Sequence, residues 1–409
     1  MNNKKSVLVI PHLFYPEVAS TAQIYTELFL ELENDFDITV LCAVPCYSGS
    51  IDDKYKEKGK DLYEEKYSNI RILRVPVKEF DKKNKISRIK HILSYYKNCK
   101  KQIKKLGKYD VTFVCSQPPI IGGMLGVYSK KKNKSKLIYN IQDFNPEQAE
   151  AVMSKVFKPI FYILKQIDKK SCKKSNLVIT VGRDMQQTLV NRFHGINVPN
   201  NVVINNWADN KKLYPIESTN EKIIEFKKKY KMDNKFIIMY SGNIGLYYDL
   251  PNIMDEIIKF KDNKDVIFAF IGEGNVKNVL INKAKKTNME NIRFIPYQDK
   301  DFLVYSLNSA DFHLVTSAKG IKGVSVPSKI YGILAVDKPF ICVTEKNSEA
   351  YNITIETDKG LFAETGNYNN IYNTLEKVIN HNYTLSNKTA VIYSKDESIK
   401  KYINEIKKI

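Results

Sequence analysis

Short apolar segments, rich in valine and isoleucine, recur along this chain and alternate with segments of helical periodicity. Strands this short and this uniformly apolar are typical of a parallel sheet covered on both faces. Between them lie stretches such as Thr21–Glu33, in which Ile24, Leu28 and Leu32 fall on one helix face. The alternation predicts α/β architecture. The predicted strands are Val7–Ile10, Ile38–Leu41, Ile70–Val75, Val111–Cys115, Leu137–Ile141, Leu177–Val181, Val202–Asn205, Phe236–Tyr240, Val266–Ile271, Ile292–Pro296, Phe312–Val315, Phe340–Val343 and Leu361–Ala363.

The alternation of strands and helices begins again after a polar, turn-rich stretch at residues 205–210. One hydrophobic core rarely serves 409 residues, whereas two domains of about 200 residues fit the usual size limits. We therefore predict an N-terminal domain of residues 1–207 and a C-terminal domain of residues 208–385. Residues 386–409 read as a charged helix that either packs back on the first domain or caps the second.

The chain is strongly basic, with 65 Lys and Arg against 45 Asp and Glu and a net charge of +20. Such a charge favours a polyanionic partner, although a lysine-biased proteome explains it equally well. The basic stretch Lys82–Lys108 carries Ile86, Ile89 and Leu93. It either lies on an anionic membrane or forms a surface helix with solvated lysines. Nucleic acid is not an expected partner, because no recognised binding motif is present.

The six cysteines lie mostly in apolar, strand-like segments, and none has the CxxC spacing of a zinc site. The five histidines are scattered, and His12, at the exit of the first strand, is interpreted as structural. We therefore predict reduced, buried thiols and no metal site. The N-terminus reaches Pro11 before a signal-peptide core forms, and no apolar stretch is long enough to span a bilayer. The expected location is the cytoplasm, in a soluble or peripheral state.

Glycine turns follow two successive strands of the second half, as Gly242-Asn243-Ile244-Gly245 and as Gly272-Glu273-Gly274. A glycine turn between a strand and a helix lets the backbone approach a phosphate closely. One such turn is often only a tight connection, and the full dinucleotide pattern GxGxxG is absent. Two turns together with Pro327-Ser328-Lys329, which supply a hydroxyl and a cation, favour a nucleotide site.

Polar residues also follow the predicted strands of the first half. Glu17 and Ser20 come after the first strand, and Tyr47 comes after the second. Asp143 follows a strand that reads as central, where ligands bind in such sheets. It either accepts a proton or holds a sugar hydroxyl, or it caps the helix expected near Pro146.

Taken in order, these segments resemble the retaining GT-B glycosyltransferases of the large family four. The closer similarity is to the subgroup that includes N-acetyl-L-fucosaminyl transferases of bacterial surface-polysaccharide assembly. The similarity extends over about residues 5–380, so it concerns nearly the whole chain. The segments that carry it are Phe14–Glu17, Val44–Gly49, Gln142–Glu147, Tyr240–Gly245, Ile271–Gly274, Pro327–Tyr331 and Lys338–Pro339.

The resemblance implies two Rossmann-like domains facing a cleft, the GT-B fold. The C-terminal domain would hold a nucleotide-diphosphate sugar, with UDP as the expected nucleotide. The N-terminal domain would hold a lipid-diphosphate-linked saccharide at the inner face of the cell membrane. Transfer would retain the anomeric configuration without a metal or another cofactor. The donor-binding assignments are Gly242, Asn243, Gly245, Gly272, Glu273, Gly274, Lys322, Pro327, Ser328 and Lys329; the acceptor-binding assignments are Glu17, Ser20, Tyr47 and Asp143.

The sequence departs from the family pattern in three places. The family's paired glutamates would fall near Val324 and Gly332, its Arg and Lys after the first strand of the donor domain are missing, and its first glycine pair is replaced by Ala19–Ala22. Two phosphates need positive charge or oriented amides. We therefore interpret Lys329 as the diphosphate-binding catalytic cation, with Lys322 as a second candidate and Asp143 as the catalytic group toward the acceptor. The alternatives are an inert nucleotide-sugar-binding subunit and a sugar-nucleotide 2-epimerase or hydrolase of the same fold.

Overall fold

The computed structural model describes residues 4–151, 153, 155–385 and 393–409, and it divides into two compact units. The first unit comprises Met1–Val181, Gln186–Ile204 and Ile399–Ile409, and the second comprises Gly182–Met185 and Asn205–Ser398. The domain limits expected from the sequence, 1–207 and 208–385, stay predictions. The chain passes between the structural units four times, after Val181, Met185, Ile204 and Ser398, and the second and fourth passages occur within helices.

The first unit contains an eight-stranded sheet in the order β3-β4-β2-β1-β5-β6-β7-β8, and only the β3–β4 pair is antiparallel. Its strands are β1 (Lys5–Ile10), β2 (Phe36–Ala43), β3 (Tyr63–Tyr67), β4 (Ile70–Val75), β5 (Val111–Cys115), β6 (Lys136–Ile141), β7 (Leu177–Thr180) and β8 (Asn201–Val203). Its helices are α1 (Ser20–Leu32), α2 (Lys85–Ile103), α3 (Ile121–Asn133), α4 (Glu147–Glu150), α5 (Lys158–Lys174) and most of α6 (Arg183–Arg192).

The sequence predicted every strand of this sheet except β3. That strand reads Tyr-Glu-Glu-Lys-Tyr and has no apolar run, because it pairs at the edge and buries little besides Tyr63. Ion pairs to the neighbouring strand stabilise it instead: Arg71 Nε lies 2.6 Å from Glu64, and Arg74 Nε lies 2.7 Å from Glu65. A period-2 pattern with charged residues on the exposed side is a weak signal in one sequence.

The second unit contains a six-stranded, wholly parallel sheet in the order β11-β10-β9-β12-β13-β14. Its strands are β9 (Phe236–Ser241), β10 (Val266–Ile271), β11 (Ile292–Ile295), β12 (Phe312–Thr316), β13 (Phe340–Thr344) and β14 (Gly360–Glu364), each within two residues of its prediction. Its helices are α7 (Glu221–Lys229), α8 (Leu250–Ile258), α9 (Lys277–Lys286), α10 (Leu303–Asn308), α11 (Lys329–Ala335), α12 (Glu349–Thr357) and α13 (Tyr368–Ile379). The central strands are buried, which explains their continuous apolar sequence, whereas the edge strands β11 and β14 are mostly half-buried.

The last helix, α14 (Lys395–Lys408), begins in the second unit and ends in the first. Within the first unit, Tyr402 is buried and its hydroxyl accepts a hydrogen bond from Asn140 Nδ2 at 3.2 Å. The Lys5 ammonium donates to the carbonyl oxygen of Lys407 at 2.8 Å. The part of the predicted C-terminal helix at residues 386–392 lies outside the described residues.

All six cysteines are free thiols in buried positions, as the sequence predicted. Across the described ranges, no helix combines the length and the apolar character that crossing a bilayer requires.

Candidate functional site

The glycine turns after β9 and β10 contact each other at the carboxyl edge of the second sheet. Gly242, Gly272 and Gly274 have φ angles of +140°, +137° and +159°. A Cβ on Gly272 would lie 2.0 Å from the carbonyl oxygen of Gly242, and one on Gly274 would lie 2.1 Å from that of Ile244. Contact between the turns therefore explains Gly272 and Gly274 without a ligand. At Gly245, φ is −110°, and the nearest side chain is that of Asn243.

Gly242 faces a different neighbour, the ammonium group of Lys329. A Cβ at this glycine would lie 3.4 Å from Lys329 Nζ. The Nζ atom is enclosed, and no residue of the described chain offers it a hydrogen bond. It lies 3.2 Å from the centre of the Tyr240 ring and 4.8 Å from that of Tyr248. The cation thus lies against two aromatic rings beside a glycine turn.

The ammonium of Lys329 is enclosed with no hydrogen-bond acceptor among the described residues. Burial holds the pKa of its ammonium well below the usual range, because charge is costly away from water. Cation–π contacts with the rings of Tyr240 and Tyr248 offset only part of that cost. The Tyr240 hydroxyl donates to the carbonyl oxygen of Asn243 at 2.7 Å, which ties the ring under Lys329 to the glycine turn. A bound phosphate would supply the missing opposite charge.

Two carboxylates hold the loop between β12 and α11, and the sequence indicated neither. Glu345 Oε2 accepts from the backbone amides of Gly320 and Lys322 at 2.8 and 3.1 Å. Asp184 Oδ2 accepts from the amide of Gly323 at 2.9 Å. Burial raises the pKa of Asp184, and the bond from Gly323 opposes that rise. These contacts fix the loop that leads to Lys329.

A buried carboxylate, Glu349, begins α12 and organises the same part of the second unit. It is 1% exposed and accepts from Arg183 N at 2.8 Å, from Arg183 Nε at 3.0 Å and from Asn205 Nδ2 at 2.9 Å. Arg183 also pairs with Glu356. Just before this arginine, a Cβ on Gly182 would lie 2.8 Å from Val326 Cγ2. The only sequence signal for this arrangement is the run Gly182-Arg183-Asp184 after a strand. The run does not indicate which carboxylates pair with the arginine.

The other donor-binding assignments lie on the same edge but differ in exposure. Lys322 and Ser328 are exposed, and the Ser328 hydroxyl makes no capping hydrogen bond to α11. Pro327, half-buried, accepts a bond from the amide of Ile330 at 3.2 Å. The Glu273 carboxylate pairs with Lys277 at 2.6 Å. The structure brings the two glycine turns and Lys329 together, and the binding roles of all ten residues stay predictions.

In the first unit, Asp143 lies at the end of β6 with both carboxylate oxygens fixed. Oδ2 accepts from Gln117 Nε2 at 3.2 Å, and Oδ1 accepts from Gln148 Nε2 at 3.1 Å. Burial raises the pKa of Asp143 to about 6, against the effect of these two amides. The helix-cap alternative is wrong, because α4 is preceded by Pro146 and the Asp143 side chain bonds to glutamines instead.

The remaining acceptor-binding assignments have distinct environments. Glu17 Oε1 accepts from the backbone amides of Cys46 and Tyr47 at 2.5 and 2.9 Å, so this carboxylate positions the loop after β2. Tyr47 is exposed, with Lys82 Nζ 4.7 Å from its ring centre. Ser20 is exposed at the first position of α1. Glu17 and the Tyr47 backbone are thus in contact, and acceptor binding by these residues stays a prediction.

Solved structures with the same fold define its class. Sucrose-phosphate synthase from Thermosynechococcus elongatus has a TM-score of 0.68 at 10% identity and covers 98% of this chain and 94% of its own. Anabaena Alr3699/HepE, solved with UDP and glucose, has a TM-score of 0.65 at 12% identity over 99% of this chain and 98% of its own. The lipopolysaccharide outer core galactosyltransferase WaaB has a TM-score of 0.63 at 12% identity over 98% and 99%. With two parallel-sheet α/β units, these similarities confirm the GT-B fold class.

A similarity to a known family is found in the second half of the chain. Residues 221–404 match the family described as Glycosyl transferases group 1. This segment is therefore similar to the group 1 glycosyltransferases.

Two curated relatives are similar over comparable lengths. A probable glycosyltransferase, WbjE of Pseudomonas aeruginosa, is 31% identical over 187 residues, which are 45% of this chain and 44% of that protein. WcaI of Escherichia coli strain K12, a putative colanic acid biosynthesis glycosyl transferase, is 30% identical over 172 residues, 42% of this chain and 41% of its own. The chain therefore matches less than half the length of these relatives.

Proposed function

We propose that this protein is a retaining glycosyltransferase of bacterial surface-polysaccharide biosynthesis. It transfers a sugar from a nucleotide diphosphate, with UDP as the nucleotide, to a lipid-diphosphate-linked saccharide. The group 1 match of residues 221–404 supports the reaction class, and the names of WbjE and WcaI support the process. The observation that carries the proposal is the enclosed ammonium of Lys329 beside the turn at Gly242.

Lys329 acts on the donor side of the reaction. Its ammonium binds the diphosphate and stabilises the negative charge that grows on the leaving phosphate as the bond to the anomeric carbon breaks. Because its pKa is depressed by burial alone, a dianionic neighbour returns the group to its charged form. Tyr240 and Tyr248 keep the ammonium in place before the donor arrives. This lysine replaces the cationic pair that the family carries after the first strand of the donor domain.

Asp143 acts on the acceptor side. A carboxylate whose pKa is about 6 is ionised at neutral pH and is a better base than an ordinary aspartate. The amides of Gln117 and Gln148 fix both oxygens, so the group is oriented before the acceptor binds. It receives or directs the proton of the acceptor hydroxyl as the new bond to the anomeric carbon forms.

The surface of the first unit supports an acceptor in an anionic membrane. On α2, Ile86, Ile89 and Leu93 are 65%, 59% and 55% exposed within the lysine-rich segment. On α5, Ile160 and Ile163 are exposed to a similar extent, again among lysines. Apolar side chains flanked by lysines match a bilayer surface with anionic head groups. The apolar side chains insert into the bilayer, and the lysines bind the phosphates of the head groups. Peripheral attachment at the inner membrane face follows from this proposal.

One observation favours an inert nucleotide-sugar-binding subunit instead. Where the family carries its paired glutamates, this chain has the buried Val324 and a glycine, Gly332, whose Cβ would lie 3.5 Å from Leu213. Neither position can contact a sugar hydroxyl as a carboxylate does. A subunit of this kind would bind the donor through Lys329 and transfer nothing.

The first experiment is UDP binding by calorimetry and by thermal shift, with Lys329→Met and the matched control Lys319→Met. Lys319 is an exposed lysine of the same loop. We expect UDP to raise the melting temperature of the wild type and the control, and not of Lys329→Met. The absence of any UDP effect on the wild type would contradict the nucleotide site.

The second experiment separates the enzyme from the inert subunit. A panel of UDP-sugars is incubated with the protein, lipid-diphosphate-linked saccharide and anionic vesicles. Product formation, with the anomeric configuration read by NMR, supports the transferase; donor binding without product from any pair supports the subunit.

A further inference from the structure

Three potential metal ligands from distant parts of the sequence meet in the first unit. His12 follows β1, Cys46 follows β2, and His91 lies in α2. His12 Nε2 is 3.0 Å from His91 Nε2, and Cys46 Sγ is 3.8 Å from the same nitrogen. All three ligand atoms lie within 4.8 Å of one another. Cys46 and His91 are 1% and 2% exposed and His12 is half-buried, so two of the three ligands come from the interior.

The second ring nitrogen of His91 is already fixed. Nδ1 lies 2.5 Å from the carbonyl oxygen of Lys78. A carbonyl oxygen only accepts, so Nδ1 carries the proton, and in the neutral ring Nε2 presents a lone pair toward His12 and Cys46. Metal-binding histidines in proteins are oriented in this way by a carbonyl or carboxylate on the far nitrogen. This contact is independent of the cluster itself and leaves the Nε2 lone pair facing His12 and Cys46.

We propose that His12 Nε2, His91 Nε2 and Cys46 Sγ bind one Zn²⁺ ion, with water as the fourth ligand. Tetrahedral zinc, with bonds of about 2.0–2.1 Å to nitrogen and about 2.3 Å to sulfur, separates two nitrogens by about 3.3 Å and nitrogen from sulfur by about 3.6 Å. The two distances to His91 Nε2, 3.0 and 3.8 Å, differ from those values by only a few tenths of an ångström. A thiolate with two imidazoles selects zinc over magnesium or calcium, which prefer oxygen ligands.

The proton balance of the site is simple. Without metal, His12 Nε2 donates its proton to the lone pair of His91 Nε2, because Nδ1 of His91 holds the only proton of that ring. On binding, the His12 proton moves to its own Nδ1, and the Cys46 thiol releases one proton to solvent. Two neutral imidazoles and one thiolate leave a net charge of +1 on the site. The Glu17 carboxylate, bonded to the amide of Cys46, supplies the opposite charge.

The sequence predicted no metal because none of its spacings matches a zinc motif. The ligands come from residues 12, 46 and 91, and only the parallel order of β1 and β2, with α2 packed nearby, brings them together. The inference does not depend on glycosyl transfer, since its test measures metal binding alone.

The test uses the full chain, freed of metal with a chelator and titrated with Co²⁺ and then with Zn²⁺. We expect one Co²⁺ per chain, a tetrahedral visible spectrum with a thiolate-to-cobalt charge-transfer band, and displacement by Zn²⁺. Cys46→Ser removes that band, and His12→Asn weakens zinc binding at least about 100-fold in competition with a chelating indicator. The matched control, Cys99→Ser, changes another buried cysteine of the same unit and retains the wild-type spectrum.

Two results would overturn the proposal. One is a wild-type protein that shows no thiolate-to-cobalt band; this result needs no variant and holds even if Cys46→Ser fails to fold. The other is a Cys46→Ser protein that folds, by its circular dichroism, and binds zinc as the wild type does.

Discussion

Two half-buried ionisable residues, Lys329 in the second unit and Asp143 in the first, occupy similar positions in their sheets but differ in their partners. Each lies at the carboxyl edge of its own parallel sheet, where ligands bind in such folds. The Asp143 carboxylate already accepts two side-chain amide bonds, whereas the Lys329 ammonium has aromatic faces and, among the described residues, no acceptor. The first group is oriented by side-chain hydrogen bonds, and the second is enclosed by aromatic rings.

The difference also concerns how each edge is held. In the second unit the two glycine turns are locked by backbone contact, with Gly272 and Gly274 against the preceding turn, although carboxylates hold the loop before α11. In the first unit the loop after β2 is held by a side chain, Glu17, on two amides. Backbone contact tolerates no added atom, while a side-chain anchor can be replaced at smaller cost.

The largest expected effect tests the backbone contact. Gly272→Ala places a Cβ against the Gly242 carbonyl at a φ of +137°, so both overlap and backbone strain destabilise the second unit. We expect a loss of about 3 kcal/mol in unfolding free energy, measured by urea denaturation. Gly366→Ala is the matched control, because its φ is +82° and its Cβ position is open; it should lose only about 1 kcal/mol. Equal losses would show that strain, and not contact, dominates.

The second prediction concerns the replacement of Lys329, whose ammonium has no hydrogen-bond acceptor among the described residues. Lys329→Met should weaken UDP binding by about 2–3 kcal/mol, or roughly 30–150-fold, the usual range for a hydrogen bond to a charged group. Unfolding free energy should stay the same or rise, because an apolar side chain of similar length replaces a buried, depressed-pKa amine. Titration calorimetry and denaturation separate the two quantities. A large loss of stability with unchanged UDP affinity would make Lys329 a structural residue.

The third prediction concerns how stability depends on pH through Asp143, whose carboxylate accepts two hydrogen bonds. The folded-state pKa of Asp143 is raised from 3.8 to about 6, so its ionisation costs stability as pH rises through that interval. A rise of about two pKa units corresponds to at most about 3 kcal/mol. Asp143→Asn should therefore raise the melting temperature by up to about 6–12 °C at pH 8 and leave it nearly unchanged at pH 4. Transfer activity should fall in the same variant at both pH values. A melting temperature that falls at pH 8 would mean that the two glutamine bonds outweigh burial.

The smallest effect tests the surface of the first unit. Ile89→Gln should weaken binding to anionic vesicles about fivefold, since a partly inserted isoleucine contributes about 1 kcal/mol. Ile355→Gln is the matched control, because that residue is equally exposed, at 59%, but lies in the second unit. Co-sedimentation with vesicles measures both. Equal weakening would argue against α2 as the membrane-facing segment.

Much of the fold was predictable from residue pattern, and the exceptions have physical causes. Buried parallel strands are recognisable by their continuous apolar sequence. The edge strand β3 has a charged face, so the sequence did not predict it. The glycine turns were found as a motif, but whether a given glycine serves a ligand or a neighbouring turn depends on the contact between two loops. The carboxylates of Asp184 and Glu345 were missed because their partners are backbone amides far away in the sequence.

The sequence by itself determined the α/β class, the order of the strands along the chain and the candidate residues Asp143 and Lys329, because apolar periodicity and turn chemistry are local properties. Only the tertiary structure decided which candidates have partners. It placed Lys329 against aromatic rings with no acceptor among the described residues, gave Asp143 hydrogen bonds from two side-chain amides, and brought His12, Cys46 and His91 together. These outcomes depend on which loops lie side by side at the edge of a sheet. The order of strands in space decides that, and no short segment of sequence determines this order.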